Sequence, residues 1–318
     1  MKNFTLIIPT HNRHHYLRRS MMYFRDLDAE VIYCDSSIEA FDEHEIEKYH
    51  NIKYLHLPNQ KFAEKLLIVL AQIKTNFVAL CPDDDFILIN SLYRGVDFLE
   101  SNKTYKTIVG KYVYFNEDFD GNFFPNGQKF PEDIDLGSEK NAKVFFENYY
   151  MILWAMYDKV ILEKAFRIIN QAKFHNDNYI ELTIGACACY EGAIKFPKEI
   201  WGIREVSTKE HWGTRHASIL SMEIAEIKGD YQKFKESIDD QTFLGHADIV
   251  MQSYLSGHVK EVVSLRDTIS KMIPKFIKRW IRKGTSFKTS ADKFILDDQN
   301  YGLLDPIKLL LYKDNVNK

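Results

Sequence analysis

The sequence predicts an α/β protein, with a mostly parallel sheet flanked by helices and a mainly helical C-terminal extension. Three observations carry the prediction. Short apolar runs alternate with stretches of helical spacing through the first hundred or so residues, the pattern of βαβ units. Several of these runs stop at turn-forming residues, at Pro9, Pro58 and the polar cluster after Pro82. Beyond residue 216 the apolar residues recur mostly at three-and-four spacing, as in helices.

Phe4-Thr-Leu-Ile-Ile8 is a strand, Tyr16 to Phe24 a helix, and Glu30 to Cys34 the second strand. Ile52 to Leu57 makes a third strand, after which Phe62, Leu66, Leu70 and Ile73 lie on one helical face. Phe77 to Pro82 is the fourth strand, Leu92, Val96 and Leu99 mark the helix behind it, and Thr107–Phe115 reads as one further strand. Asn116 to Gly137, rich in Asn, Asp, Gly and Pro, reads as a loop. Helical and strand-like stretches, among them Ile152–Tyr157 and Ala193–Phe196, run on to about Trp212. A soft boundary near residue 215 divides the chain into residues 1–215 and a helical region 216–318.

At 318 residues and net charge −3, the chain can bury a large core and carries no general affinity for nucleic acid. Cys34, Cys81, Cys187 and Cys189 lack metal-finger spacing and read as reduced thiols of a cytoplasmic protein. The apolar run Phe4–Pro9 is too short for a signal peptide, and no run is long enough to span a membrane.

Asp83, Asp84 and Asp85 follow the fourth strand. Alternation along a strand sends Asp83 and Asp85 to one side and Asp84 to the other. Three adjacent carboxylates repel one another and call for a counter-charge or ample water. A divalent cation shared with a phosphate-bearing ligand supplies one. The plain alternative is a solvated acidic loop, but ligands of open α/β sheets bind at the carboxyl ends of the strands, where this triplet lies.

Three segments in order then resemble a known family: Pro9-Thr-His-Asn-Arg13 after the first strand, Cys34-Asp-Ser-Ser37 after the second and Asp83-Asp-Asp85 after the fourth. They resemble the family 2 glycosyltransferases of GT-A fold, closely over residues 3–116 and loosely over 117–212. The resemblance implies a nucleotide-sugar site. Thr10 and Arg13 would line it, Asp35 would face the nucleobase, Lys65 the diphosphate, and Asp83 and Asp84 the ribose or metal-bound water. Asp85 is implied as ligand of Mn²⁺ or Mg²⁺, with His211 as a second metal or phosphate contact. Cys34 and Ser36 depart from the family's Asp-Asp-Gly-Ser, and Pro82 stands where the metal motif usually begins. Asp177, at the start of a late helix, matches the carboxylate that deprotonates the acceptor, although Asn176 replaces the usual Glu. Glu181 and Asp158 are reserve candidates, and a capping box of Asn178 and Glu181 is the plain reading of that turn. Arg204, Trp154 and Trp212 are lesser candidates for phosphate and sugar contact.

Between Asp267 and Asp292 there are Lys and Arg but no acidic residue. Ile273, Phe276, Ile277, Trp280 and Ile281 share a face opposite Lys275, Lys278, Arg279, Arg282 and Lys283. Such a helix, over 271–288, suits either an anionic membrane surface or the protein's own core. The expected function is a metal-dependent, inverting glycosyltransferase using a nucleotide-diphosphate donor, UDP foremost, and a glycan or lipid-linked acceptor. The alternatives are a catalytically silent nucleotide-sugar or glycan-binding module and a sugar nucleotidyltransferase. The latter needs a Gly-rich loop that Pro9–Arg13 does not contain.

Overall fold

Seven consecutive buried residues, Phe4–Thr10, form β1 and set the architecture. A strand apolar on both faces needs cover on both, and a parallel sheet between helices provides it. The computed structural model describes residues 1–116, 121–125, 130–206, 224–262 and 304–312. After β1 come α1 (His14–Phe24), β2 (Glu30–Asp35), α2 (Glu43–Ile46), β3 (Ile52–His56), α3 (Phe62–Leu70) and β4 (Phe77–Leu80). Next are β5 (Phe86–Ile87), α4 (Ile89–Ser101), β6 (Tyr105–Ile108), β7 (Lys111–Asn116), β8 (Phe124–Pro125), α5 (Ser138–Glu147) and β9 (Met156–Asp158). α6 (Lys159–Ala172), α7 (Asn178–Glu191), β10 (Ala193–Lys195) and β11 (Ile200–Val206) follow, then α8 (Ile224–Glu236) and α9 (Gln241–Val262). A last helix, α10, covers residues 304–312.

The larger sheet has the order β10-β6-β9-β4-β1-β2-β3. Every pairing in it is parallel except those of β9, which runs antiparallel between β4 and β6. Because β2 and β4 flank β1, the chain reverses its direction of travel across the sheet there, and a crevice opens at the carboxyl ends of these strands.

Two expectations are corrected. Thr107–Phe115 is not one strand: β6 belongs to the larger sheet and β7 to a second one of order β5-β11-β7-β8. The break falls at Val109-Gly110, where a Cβ on Gly110 would stand 2.7 Å from the Glu199 carbonyl oxygen, so the chain changes sheets pressed against that carbonyl and the Trp201 side chain. The fourth strand ends at Leu80, and the three aspartates lie in a turn in which the Asp85 N–H donates to the Pro82 carbonyl at 3.4 Å.

The second sheet brings β11 antiparallel to β5, pairing Gly202 with Ile87 and Ile203 with Phe86. A Cβ on Gly202 would lie 2.6 Å from the Phe86 carbonyl oxygen, so this approach requires glycine. The described C-terminal helices join existing cores. Phe234, Phe243, Val250 and Met251 belong to the apolar cluster of the large sheet, and Leu304, Ile307 and Leu311 close the one around Phe86, Phe115 and Ile203. The boundary near 215, His211, Trp212 and the helix expected over 271–288 lie outside the described residues. Among the described residues, no helix is long and apolar enough to cross a membrane.

Candidate active site

The carboxyl ends of β1, β2 and β4 deliver Thr10, Asp35 and the aspartate turn to one crevice. Thr10 donates from Oγ1 to Asp83 Oδ2 at 2.6 Å, linking the first strand to the turn. Arg13, at the N-terminus of α1, bridges two carboxylates: its guanidinium stands 2.8 Å from Asp83 Oδ1 and 2.6 Å from Asp84 Oδ2. The third carboxylate has its own arginine, since Arg204 Nε donates to Asp85 Oδ2 at 2.9 Å and the Glu205 N–H donates to Asp85 Oδ1 at 3.0 Å. The counter-charge assigned from sequence to a cation is therefore present in the protein as two guanidinium groups. Asp83 and Asp85 are buried, whereas the Asp84 side chain is 17 % exposed beside an Arg13 that is 34 % exposed. Burial raises the Asp83 and Asp85 carboxyls to about 7; Asp84 adds to the rise, while Arg13 and Arg204 oppose it.

Asp35 takes a more internal place than expected. Its carboxylate is fully buried and accepts four hydrogen-bond contacts, from the Ser37 N–H and hydroxyl, the Tyr54 hydroxyl at 2.7 Å and His14 Nε2 at 3.1 Å. Burial works to raise this carboxyl, and the donors from Ser37, Tyr54 and His14 outweigh it, leaving it below its ordinary value. Four donors saturate a carboxylate, so Asp35 organises His14 and Tyr54 rather than offering a lone pair to a ligand. Lys65 is likewise a strut: its buried ammonium donates to the Thr10 carbonyl at 2.6 Å and to Ser36 Oγ at 3.1 Å, and burial lowers its pKa.

Asp177 is the residue before α7, half-buried, and its side chain makes no capping hydrogen bond. The capping-box reading of this turn is overturned. Asn176 Oδ1 accepts the Asn178 N–H at 2.8 Å, and Glu181 turns inward to the Tyr149 hydroxyl at 3.0 Å. The turn is anchored from the C-terminal region, because buried Asp230 of α8 accepts the N–H groups of His175 and Asn176 at 3.0 and 2.9 Å. Burial raises the Glu181 carboxyl, against the opposing effects of the Tyr149 hydroxyl and the Arg204 charge. Asp158 is removed as a candidate. It stands beside Phe77, at the opposite end of β4 from the aspartates, caps α6 at the Val160 N–H and pairs with Lys106 at 2.9 Å. Trp154 packs against Phe62, and its carbonyl accepts from Tyr112 and Trp201.

Glu205 and Arg19 were missed in the sequence. Their signal is a charge at a position the local pattern makes internal: Arg19 on the buried side of α1 and Glu205 near the end of the apolar run of β11. A cavity of about 580 Å³ lined by Arg94, Phe98, Lys195 and Trp201 shares no residue with the aspartate cluster. The two buried carboxyls raised to about 7 lie at the aspartate turn and not at this cavity. Among the described residues, no three His, Cys, Asp or Glu are grouped to hold a metal. The donor set of the turn is carboxylate oxygen throughout, with Asp84 the most accessible, which fits a hard divalent ion held by one or two carboxylates and completed by ligand phosphates.

Residues 5–161 match the family described as Glycosyl transferase family 2. No curated protein matches the chain in sequence. Among solved structures, S. aureus TarS residues 1–349 in complex with UDP-GlcNAc is similar at 15 % identity and a TM-score of 0.56, covering 100 % of this chain and 89 % of that one. The same fragment with UDP gives 15 % identity and 0.51 over 100 % and 88 %. A longer TarS chain gives 15 % and 0.55 over 100 % and 54 %. These likenesses establish the fold, which is that of the GT-A enzymes. With the aspartate turn at the sheet's switch point and the family match over the strands that build it, the chain carries a family 2 glycosyltransferase segment over residues 5–161.

Proposed function

We propose that the protein transfers a sugar from a nucleoside diphosphate donor, with UDP as the nucleotide, to a hydroxyl of a glycan or lipid-linked acceptor, with inversion at the anomeric carbon. The observation that carries the reading is the convergence of Thr10, Arg13 and the Asp83–Asp85 turn at the carboxyl ends of β1 and β4. The complexes of TarS with UDP-GlcNAc and UDP support the choice of donor.

Asp85 and the more accessible Asp84 would hold Mn²⁺ or Mg²⁺, whose chemistry is to neutralise charge developing on the departing diphosphate. Thr10 and Lys65 keep the floor of the site in place, Asp83 stands toward the ribose, and Arg13 presents its guanidinium to phosphate. Asp35 sets His14 and Tyr54 around the nucleobase. Asp177 takes the proton of the acceptor hydroxyl as its oxygen bonds to the anomeric carbon and the bond to the diphosphate breaks. His211 would supply a second metal or phosphate contact. A cytoplasmic setting, with residues 271–288 against anionic lipid, completes the proposal and brings a lipid-linked acceptor within reach.

The test is release of UDP from a panel of UDP-sugars with and without Mn²⁺, read beside thermal stability, since a ligand selective for the folded state raises the midpoint. Stabilisation by UDP with no turnover in any acceptor mixture overturns the enzymatic part of the proposal, and no stabilisation by any nucleotide sugar overturns the donor. Deleting 271–288 is expected to weaken binding to phosphatidylserine vesicles; unchanged binding returns that segment to the protein's own core.

A further inference from the structure

Glu205 lies where the supports of the aspartate turn meet. Its side chain is only 2 % exposed. The Tyr16 hydroxyl donates to Oε1 at 2.6 Å, and Arg19 Nη1 stands 2.8 Å from Oε2. From these partners the contacts lead outward to all three aspartates. Arg19 donates from its other terminal nitrogen to the Asp84 carbonyl at 2.6 Å. The Tyr16 ring lies beneath the Arg13 guanidinium at 4.3 Å, and Arg13 in turn holds Asp83 and Asp84. The Glu205 N–H itself donates to Asp85 Oδ1 at 3.0 Å.

A buried carboxylate–guanidinium pair is costly to desolvate, and apolar residues of like volume often stabilise a fold as well or better. Arg19 is nevertheless buried against the rings of Tyr16, Phe86 and Phe115. An apolar pair would fill that space, but it would not hold the Asp84 carbonyl or orient the tyrosine that carries Arg13. Directional contacts to the turn are what the ionic pair adds.

We infer that Glu205 is a positioning residue of the donor site: by holding Tyr16 and Arg19 it sets the Asp83–Asp85 turn in the arrangement that receives a nucleoside diphosphate and its cation. The inference rests on the donor-site reading above. It assigns to β11, which lies beyond the matched family segment, a part in donor binding that does not require Glu205 to touch the donor.

The experiment is calorimetric titration of UDP into the full chain with and without Mn²⁺. Glu205→Gln keeps size and shape while removing the charge, and is expected to cut the manganese-dependent gain in UDP affinity about tenfold. Tyr16→Phe, which removes only the hydroxyl, is expected to cut it by a smaller factor, and the two losses are expected to combine less than additively because the Tyr16–Glu205 contact is common to both. A purely structural role would lower the thermal midpoint and the active fraction, while the folded protein kept its wild-type gain. That outcome in both single variants overturns the inference, and if Glu205→Gln does not fold, Tyr16→Phe alone decides it. Wild-type protein without any manganese-dependent gain overturns the donor-site reading instead.

Discussion

Each aspartate of the turn has a cationic partner, and the pairing decides what substitution there will do. Asp85 accepts from Arg204 and from the backbone of β11, so Asp85→Ala removes the proposed metal ligand and also leaves a largely buried guanidinium without its partner. We expect loss of metal-dependent UDP binding together with a destabilisation of about 2 kcal/mol, measurable by urea denaturation. Asp177→Asn keeps the size and shape of the side chain, so it is expected to leave UDP affinity near wild type while lowering kcat by about 10²-fold or more. Full turnover in that variant would move the base elsewhere. The pH dependence follows from burial. The Asp83 and Asp85 carboxyls are raised to about 7, so the folded protein binds more protons than the unfolded chain from their ordinary range near pH 4 up to that value. Their contribution to stability is therefore present in full below that window and lost as pH rises through about 7. Cation and diphosphate favour the ionised form, so manganese-dependent UDP affinity is expected to rise from about pH 6 to about pH 8 and then level off. The identities of Thr10, Arg13 and the aspartates were legible as motifs. Their partners were not, because Arg204 and Glu205 lie more than a hundred residues away and meet the turn only through the β5–β11 pairing.

Among the elements, β11 and α8 do the bracing. β11 reaches the aspartate turn because Gly202 lets β5 approach within backbone contact. Gly202→Val is expected to cost about 1–3 kcal/mol through overpacking, seen as a lower urea midpoint, and to weaken UDP binding by displacing Arg204 and Glu205. Asp230 of α8 holds the two N–H groups that precede Asp177. Asp230→Ala leaves them unsatisfied, a cost of about 1–3 kcal/mol, and is expected to lower kcat more than it raises the KM for the donor. A fall in both in proportion to lost folded protein would reduce Asp230 to a structural role. Helices and strands were legible from apolar spacing, but which sheet a strand joins was not. Thr107–Phe115 reads as one run, and only the Gly110 backbone pressed against residues 199–201 explains its division.

For the molecule as a whole, the described C-terminal helices complete the core instead of standing apart. Phe243, Ala247 and Val250 of α9 are fully buried in the same cluster as the sheet, with Phe234 of α8 beside them. Exposing side chains of this kind costs about 1.5–3 kcal/mol each, a sum comparable with the entire stability of an ordinary domain. Residues 1–215 expressed alone are therefore expected to aggregate or melt far below the full chain; a soluble fragment of wild-type midpoint would show that this part of the chain folds unaided. The sequence by itself determined the fold class, the order of the first four strands and the place of the aspartates at a strand end, because local apolar spacing and short motifs carry that information. Only the tertiary structure decided that two arginines pair with the aspartates, that Asp35 and Lys65 serve as internal struts, that Glu205 holds Tyr16, and that Asp230 holds the turn before α7. Those are contacts between residues distant in sequence, and no local pattern specifies which buried charges will meet.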